Sequence, residues 1–155
     1  MALIARAIYK VLTWQERRRA LSAPGLKRPR PGAAPGHLET GRRGERLAYW
    51  RLRSIGYTVV ARNLRSRPGV GELDLVAWDG PILCFVEVKT RTSGGAGPPE
   101  AALTFNQQRR IIAAAQIYKR GLKQKAVNYR FDVVSVAWSA ESGLQATLIR
   151  DAFKN

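Results

Sequence analysis

The order of apolar and polar positions predicts a mixed α/β domain: a helix, three strands, a second helix and two further strands. Stretches rich in β-branched, aromatic and aliphatic residues predict the strands, at about 57–63, 72–78, 82–89, 130–138 and 144–149. Apolar residues at helical spacing predict one helix from the Thr40–Glu45 segment to about Ser54 and another from Glu100 to about Gly121. Gly56 and Gly121 are expected to end these helices.

The second and third strands flank Asp79 and Gly80, a pair that favours a hairpin because both residues tolerate positive φ. Side chains alternate along a strand, so an even-length loop brings Asp74 and Glu87 to the same face. A two-residue loop at Asp79-Gly80 makes them diagonal neighbours and a four-residue loop places them opposite, at roughly 4.5–8 Å between Cβ atoms. An odd-length loop would separate the two carboxylates.

Glu87, Val88 and Lys89 end the apolar third strand, so two carboxylates and an ammonium are expected at one end of the hairpin. Such charges are costly to bury unless each is paired or binds something. Two carboxylates suit Mg²⁺, which takes one or two of them together with water and substrate phosphate oxygens. The alternative is a surface salt bridge from Lys89 to Glu87 or Glu72.

Glu45 is expected in the first turn of the first helix, where the helix dipole favours an acid. It shares one helical face with Ala48, Leu52 and Ile55, so its side chain should point inward. The alternative is an acid at the helix terminus that extends into solvent.

The net charge of the chain limits the classes of binding partner that are expected. The chain has 155 residues, enough for one domain, and its 27 Lys and Arg against 11 acidic residues give a formal charge of +16. This excess predicts a polyanionic partner, nucleic acid first and an anionic membrane surface second.

A single cysteine, Cys84, fits a small core residue in a reducing cytoplasm. With His37 the only histidine, a Cys/His zinc site and a Ser-His-Asp triad are excluded.

The basic residues are concentrated at three places. Residues 1–37 form an N-terminal extension with an amphipathic segment, Ala2 to Leu21, and a Pro/Gly-rich connector; residues 38–155 form the domain. A poorly ordered tail or an extension upstream of the true start codon is the favoured interpretation of the segment, ahead of membrane contact. The loop after the first strand and the region from the end of the hairpin to the second helix are expected to contact nucleic acid through Arg62, Arg65, Arg67, Arg91, Gln107 and Arg110. The alternative is ordinary solvated turns.

Several motifs together resemble the YraN-type family, and Asp74 followed by Glu87-Val88-Lys89 resembles the PD-(D/E)XK nuclease superfamily. The matching stretches are Gly44-Glu45, Gly56-Tyr57, Arg62-Asn63, Gly71–Leu75, Phe85–Arg91 and Arg130–Val134, within about residues 38–152. The resemblance implies a restriction-endonuclease-like αβββαβ core with a mixed central sheet flanked by helices, similar to archaeal Holliday-junction resolvases.

The same resemblance implies a metal-dependent DNA endonuclease. Asp74 and Glu87, with the Val88 carbonyl, would ligate Mg²⁺ or Mn²⁺, Glu45 would support the ion or its water, and Lys89 would position the nucleophilic water. Branched or single-stranded DNA is the expected partner, and resolvases of similar fold act as symmetric homodimers. Gln107 stands where the family pattern usually has lysine, which places a second catalytic or phosphate-binding cation in doubt. A non-catalytic nucleic-acid-binding protein is the alternative.

Overall fold

A computed structural model of the chain shows a five-stranded mixed sheet with a helix on each face. The structure describes residues 3–8, 10–11, 14, 37–65, 71–91, 103–122, 127–139 and 143–155. The predicted phosphate contact Arg67 lies outside these residues, as does most of the N-terminal extension.

The elements follow the predicted order. They are α1 (His37–Ser54), β1 (Thr58–Arg65), β2 (Glu72–Asp79), β3 (Ile82–Arg91), α2 (Phe105–Arg120), β4 (Tyr129–Ser139) and β5 (Gly143–Phe153). The strands lie in the order β1-β2-β3-β4-β5, with β3 and β4 parallel and every other neighbouring pair antiparallel. This arrangement confirms the mixed α/β prediction and is consistent with a restriction-endonuclease-like core.

The sheet buries apolar side chains on both faces. On the α1 face, Leu47, Ala48 and Leu52 pack with the valines and leucines of alternate strand positions, and Cys84 is a fully buried member of this cluster, as predicted. On the α2 face, Ile111 and its neighbours cover the remaining positions: Leu73, Val76, Leu83, Phe85, Phe131, Val133 and Phe153. Successive strand residues point alternately to the α1 face and to the α2 face, and both faces are buried. The strand sequences are therefore nearly continuous apolar runs.

The end of α1 is fixed by Gly56. Its φ of 100° is easily adopted only by glycine, and the Gly56 amide donates to the Arg53 carbonyl at 3.3 Å while the Tyr57 amide donates to the Leu52 carbonyl at 3.0 Å. This pair of bonds is a Schellman motif, and it confirms Gly56 as the residue that ends the helix.

The starts of both helices differ from the predictions. α1 begins at His37, so Glu45 lies in its third turn. The prediction that Glu45 lies in the first turn, where the helix dipole favours an acid, is wrong. α2 begins at Phe105 and cannot run from Glu100, because Thr104 is extended and caps the helix: its hydroxyl accepts from the Gln107 amide. Gly121 ends α2 as predicted.

The hairpin turn also differs from the two-residue loop at Asp79-Gly80. Asp79 pairs with Ile82, so the turn residues are Gly80 and Pro81, and Trp78 pairs with Leu83. This is the register of the four-residue alternative, and it retains the even count that places Asp74 and Glu87 on one face. Among the helices that the structure describes, none is long and apolar enough to cross a membrane.

Candidate functional site

Asp74 and Glu87 face each other where β2 separates from β3. The ladder between the two strands runs from the pair Asp79–Ile82 to the pair Leu75–Val86, and continuing it by one position places Asp74 opposite Glu87. At this point the hydrogen-bond acceptor for β3 is a side chain of β2 instead of its backbone. Oδ2 of Asp74 accepts a hydrogen bond from the Val88 amide at 2.7 Å. β3 meanwhile continues along β4 as far as Arg91.

Lys89 lies on the same strand face as Glu87, two residues further along β3. Its Nζ is 2.8 Å from Oε1 of Glu87, and only 21% and 14% of the two side chains are exposed. At this degree of burial the pair is poorly screened by solvent. The pairing of Lys89 with Glu87 is the one that the salt-bridge alternative describes, and the pair is largely buried rather than at the surface.

Glu45 approaches the cluster from α1. The helix backbone meets β3 at the buried Gly44, where a Cβ atom would overlap the Thr90 hydroxyl and lie 3.2 Å from the Thr90 Cβ. Because glycine lacks that atom, α1 lies against the residue that follows Lys89. Glu45 itself is half-buried, and its charge contributes to the electrostatics of Asp74.

The electrostatic state of Asp74 shows that these groups form one cluster. Burial raises the pKa of Asp74 to about 7, the charge of Glu87 and then that of Glu45 act in the same direction, and the Val88 hydrogen bond and Lys89 oppose them. The negative charge around Asp74 therefore exceeds what Lys89 offsets. A cation bound here would favour the ionised form of Asp74.

The donors present fit a hard divalent cation. Mg²⁺ binds through one or two carboxylates and completes its shell with water and phosphate oxygens, and Asp74 and Glu87 supply those two. In the described part of the chain, no group of three or more His, Cys, Asp or Glu residues could hold a metal ion. Direct ligation by Glu45 or by the Val88 carbonyl stays a prediction.

The predicted phosphate-contacting arginines have different surroundings. Arg62 is exposed, with its guanidinium carbon 4.7 Å from the centre of the Tyr49 ring. Arg65 is exposed and 3.6 Å from Glu72, an ion pair of little energetic weight. Arg91 is half-buried and Arg110 is exposed. Their contact with nucleic acid stays a prediction.

Gln107 has a structural task. Its side-chain oxygen accepts from the Thr104 amide at 3.0 Å, while its own amide donates to the Thr104 hydroxyl at 3.3 Å. These reciprocal bonds form the capping box of α2. The capping role explains a glutamine at this position, and contact of Gln107 with nucleic acid stays a prediction.

A second polar cluster lies towards the opposite end of β3 and β4. Asp132 is bonded to a side chain and to the backbone: Nε of Arg130 and the amide of Asp151 each lie 2.9 Å from its Oδ1. The other members of this cluster come from distant parts of the chain, and sequence reasoning missed them. Arg130 also donates to Asp79 and to the Tyr57 hydroxyl, each at 2.6 Å, and Arg150 donates to the same hydroxyl at 3.1 Å.

Comparison with known proteins places the chain among bacterial relatives. Residues 44–136 match the family described as "Uncharacterised protein family UPF0102". A UPF0102 protein of Koribacter versatilis is 43% identical over 119 residues, which cover 77% of this chain and 82% of that protein. One of Solibacter usitatus is 49% identical over 113 residues, 73% of this chain and 84% of that protein, and one of Symbiobacterium thermophilum is 42% identical, covering 73% and 94%.

Proposed function

The chain belongs to the uncharacterised protein family UPF0102, the YraN-type family that its motifs resemble, and we propose that it is a metal-dependent endonuclease that hydrolyses DNA phosphodiester bonds. The observation that carries the proposal is the placement of Asp74 opposite Glu87, with Lys89 beside them, at the end of a ladder where β2 and β3 separate. Branched or single-stranded DNA is the proposed substrate, and the resemblance to resolvases favours a homodimer. The buried free thiol of Cys84 accords with a cytoplasmic location.

Asp74 and Glu87 would hold Mg²⁺ or Mn²⁺. When bound, such an ion would lower the pKa of a coordinated water and stabilise negative charge on the reacting phosphate. For Asp74, binding requires the ionised carboxylate, which burial and then the surrounding negative charge disfavour in the free protein. The hydrogen bond from the Val88 amide keeps the carboxylate oriented between the strands.

Lys89 has two tasks in this proposal. In the free protein its ammonium group pairs with Glu87 at 2.8 Å, which limits the cost of burying that carboxylate. With substrate bound, the same ammonium can orient the attacking water and offset charge that develops on the phosphate. Glu45, held close by the contact of Gly44 with Thr90, would accept a hydrogen bond from that water.

The proposal is tested with purified protein on end-labelled branched, nicked and single-stranded DNA in the presence of Mg²⁺ or Mn²⁺. Asp74→Asn and Glu87→Gln should each lower cleavage more than about 100-fold, since even residues that only support metal ligands contribute about 10–100-fold. Glu72→Gln is the matched control, because Glu72 is a more exposed acid of the same strand. Cleavage that is unchanged in both site variants would overturn the assignment.

A second candidate is a nucleic-acid-binding protein without catalytic activity. It is favoured by the internal partners of both carboxylates, since Asp74 accepts a hydrogen bond from the Val88 amide and Glu87 pairs with Lys89. Calorimetric titration with Mn²⁺ separates the two functions. An endonuclease binds the ion and loses that binding in Asp74→Asn, whereas the binding protein gives no metal-dependent heat and binds DNA equally well with Asp74 or Asn.

A further inference from the structure

The outward face of α1 combines arginines with two aromatic side chains. Each position on this face is three or four residues from another one, which places them side by side on a helix. The face consists of Arg42, Arg46, Tyr49, Trp50 and Arg53. The opposite side of α1 is buried against the sheet through Leu47, Ala48 and Leu52. Arg42 and Arg46 are exposed, and the other three residues are half-buried.

The aromatic residues and an arginine from the neighbouring strand are arranged as a stack. Tyr49 and Trp50 meet edge to face, with ring centres 5.0 Å apart and planes at 82°. Arg62, on edge strand β1, places its guanidinium over the Tyr49 ring at 4.7 Å. Tyr49 also packs on the core, which holds the stack in place, while part of Trp50 remains accessible. Flat groups held rigidly at a basic surface are suited to bind other flat groups.

We propose that this face of α1, together with Arg62, binds an unpaired segment of a nucleic acid strand. A base stacks on Trp50 or on the Arg62 guanidinium, and the phosphates on either side contact Arg42, Arg46 and Arg53. A duplex would not use this surface fully, because its bases are stacked on each other and only its phosphates reach the arginines. The aromatic residues therefore favour a single strand over a duplex.

The position of the face also connects it to the carboxylate cluster. Tyr49 lies four residues after Glu45, so the stack begins just over one helical turn, about 6 Å, beyond that acid. A strand bound along the face would thus lead towards Asp74 and Glu87. This step rests on the proposed function: the preferred substrate is DNA with an unpaired segment next to the bond that is cleaved. The binding itself does not require cleavage.

The test measures binding by fluorescence anisotropy in EDTA, with a labelled oligothymidylate and a labelled duplex of equal length. Trp50→Ala should weaken oligothymidylate binding by a factor between about 5 and about 150, the range found when an aromatic residue that stacks on a base is removed. Trp50→Phe should retain most of the affinity. Phe105→Ala, which removes an exposed aromatic residue of α2, is the matched control and should bind like the wild type.

Two further measurements keep the proposal testable if Trp50→Ala folds poorly. Arg46→Gln and Arg53→Gln should each reduce the slope of log affinity against log salt by about 0.7 for a single strand, as expected for one lost phosphate contact. Oligothymidylate should also quench tryptophan fluorescence in the wild type, and less in folded Trp50→Phe. The inference is overturned if folded Trp50→Ala binds oligothymidylate like the wild type, or if it loses duplex affinity to the same extent.

Because EDTA removes metal-dependent chemistry, this outcome is independent of the endonuclease proposal. Asp74→Asn should bind oligothymidylate at least as well as the wild type even if it cleaves nothing. Conversely, a Trp50→Ala protein that binds normally while the wild type cleaves DNA would contradict only the role of the α1 face.

Discussion

Asp74 joins a structural role to a chemical one. Its hydrogen bond to the Val88 amide holds β3 to β2 where their ladder has ended, yet its ionisation is opposed by burial and by two neighbouring acids. A group in this position makes the folded protein sensitive to pH and to cations. Both sensitivities can be measured without knowing the substrate.

The first prediction concerns the stability of the metal-free protein. Because the pKa of Asp74 is about 7 in the folded state against 3.8 ordinarily, the folded protein binds more protons than the unfolded chain between these values. Its free energy of unfolding should therefore fall as pH rises from about 4 to about 7, by at most about 1.4 kcal/mol per pH unit for this one group. Urea denaturation of Asp74→Asn in EDTA should show a weaker fall.

The outcome that contradicts this prediction is a parallel pH profile for the wild type and Asp74→Asn. Addition of Mg²⁺ at a pH above 7 supplies an independent check, because a ligand that binds only the folded state raises its stability. The wild type should gain stability from the ion, and Asp74→Asn should gain less.

At the residue scale, the sequence predicts which side chains meet better than it predicts how each is held. The even hairpin count is sufficient to place Asp74 with Glu87, because strand alternation leaves only two faces to choose from. The position of Glu45 within α1 could not be predicted, since the helix continues eight residues upstream of it through a segment with weak apolar periodicity. The capping bond of Gln107 is made to Thr104, the residue before α2. The prediction that this helix starts at Glu100 places Thr104 inside the helix, where it could not act as a cap.

Among the elements, the contact between α1 and β3 depends on the absence of one side chain. Gly44→Ala should destabilise the protein by about 1–3 kcal/mol, the usual cost of overpacking, because its new methyl group overlaps Thr90. Gly41→Ala is the matched control in the same helix: nothing lies within 4 Å of its Cβ position, and alanine favours helix by about 0.5–1 kcal/mol. Thermal or urea unfolding measures both changes.

A double substitution identifies the cause of this loss. Thr90→Ala removes the hydroxyl that the new methyl group would overlap, so Gly44→Ala combined with Thr90→Ala should be more stable than the sum of the single changes predicts. Additive effects would show that Gly44 matters for another reason. If cleavage is detected, Gly44→Ala should also lower it, since the displaced helix carries Glu45 away from Asp74.

The polar cluster around Asp132 joins three strands, β2, β4 and β5, and the segment between α1 and β1. Asp132 is fully buried and accepts from Arg130, whose side chain is only 14% exposed, so removal of the carboxylate leaves a largely buried guanidinium with fewer partners. Asp132→Ala should cost about 3–5 kcal/mol of unfolding free energy. Lys154→Gln, at an exposed ion pair with Asp151, should cost less than about 1 kcal/mol.

The elements themselves were largely predictable, and the reasons differ by type. Strand runs were recognised because both faces of the sheet are covered, which makes each run continuously apolar. The hydrogen bonds that connect the elements through Tyr57, Asp79 and Arg150 could not be predicted. Bonds between residues 51 to 93 positions apart leave no periodic signal in the sequence.

For the whole molecule, the proposed function implies that the charge of +16 would determine how tightly nucleic acid binds more than which sequence binds. Affinity for DNA should fall steeply between low and physiological salt, by about 10³–10⁵ if six to ten phosphates are contacted. Asp74→Asn and the wild type should show the same salt slope in EDTA. A salt-independent affinity would contradict the role assigned to the basic surface.

The one parallel ladder of the sheet has a consequence for folding kinetics. β1, β2 and β3 are consecutive in the chain and pair antiparallel, so this meander can form from contacts that are local in the chain. β4 reaches β3 only after a crossover that includes α2, and closing that longer loop costs entropy before any bond is gained. We therefore expect the hairpin with Asp74 and Glu87 to form early in the transition state, and the β4–β5 pair to join it later.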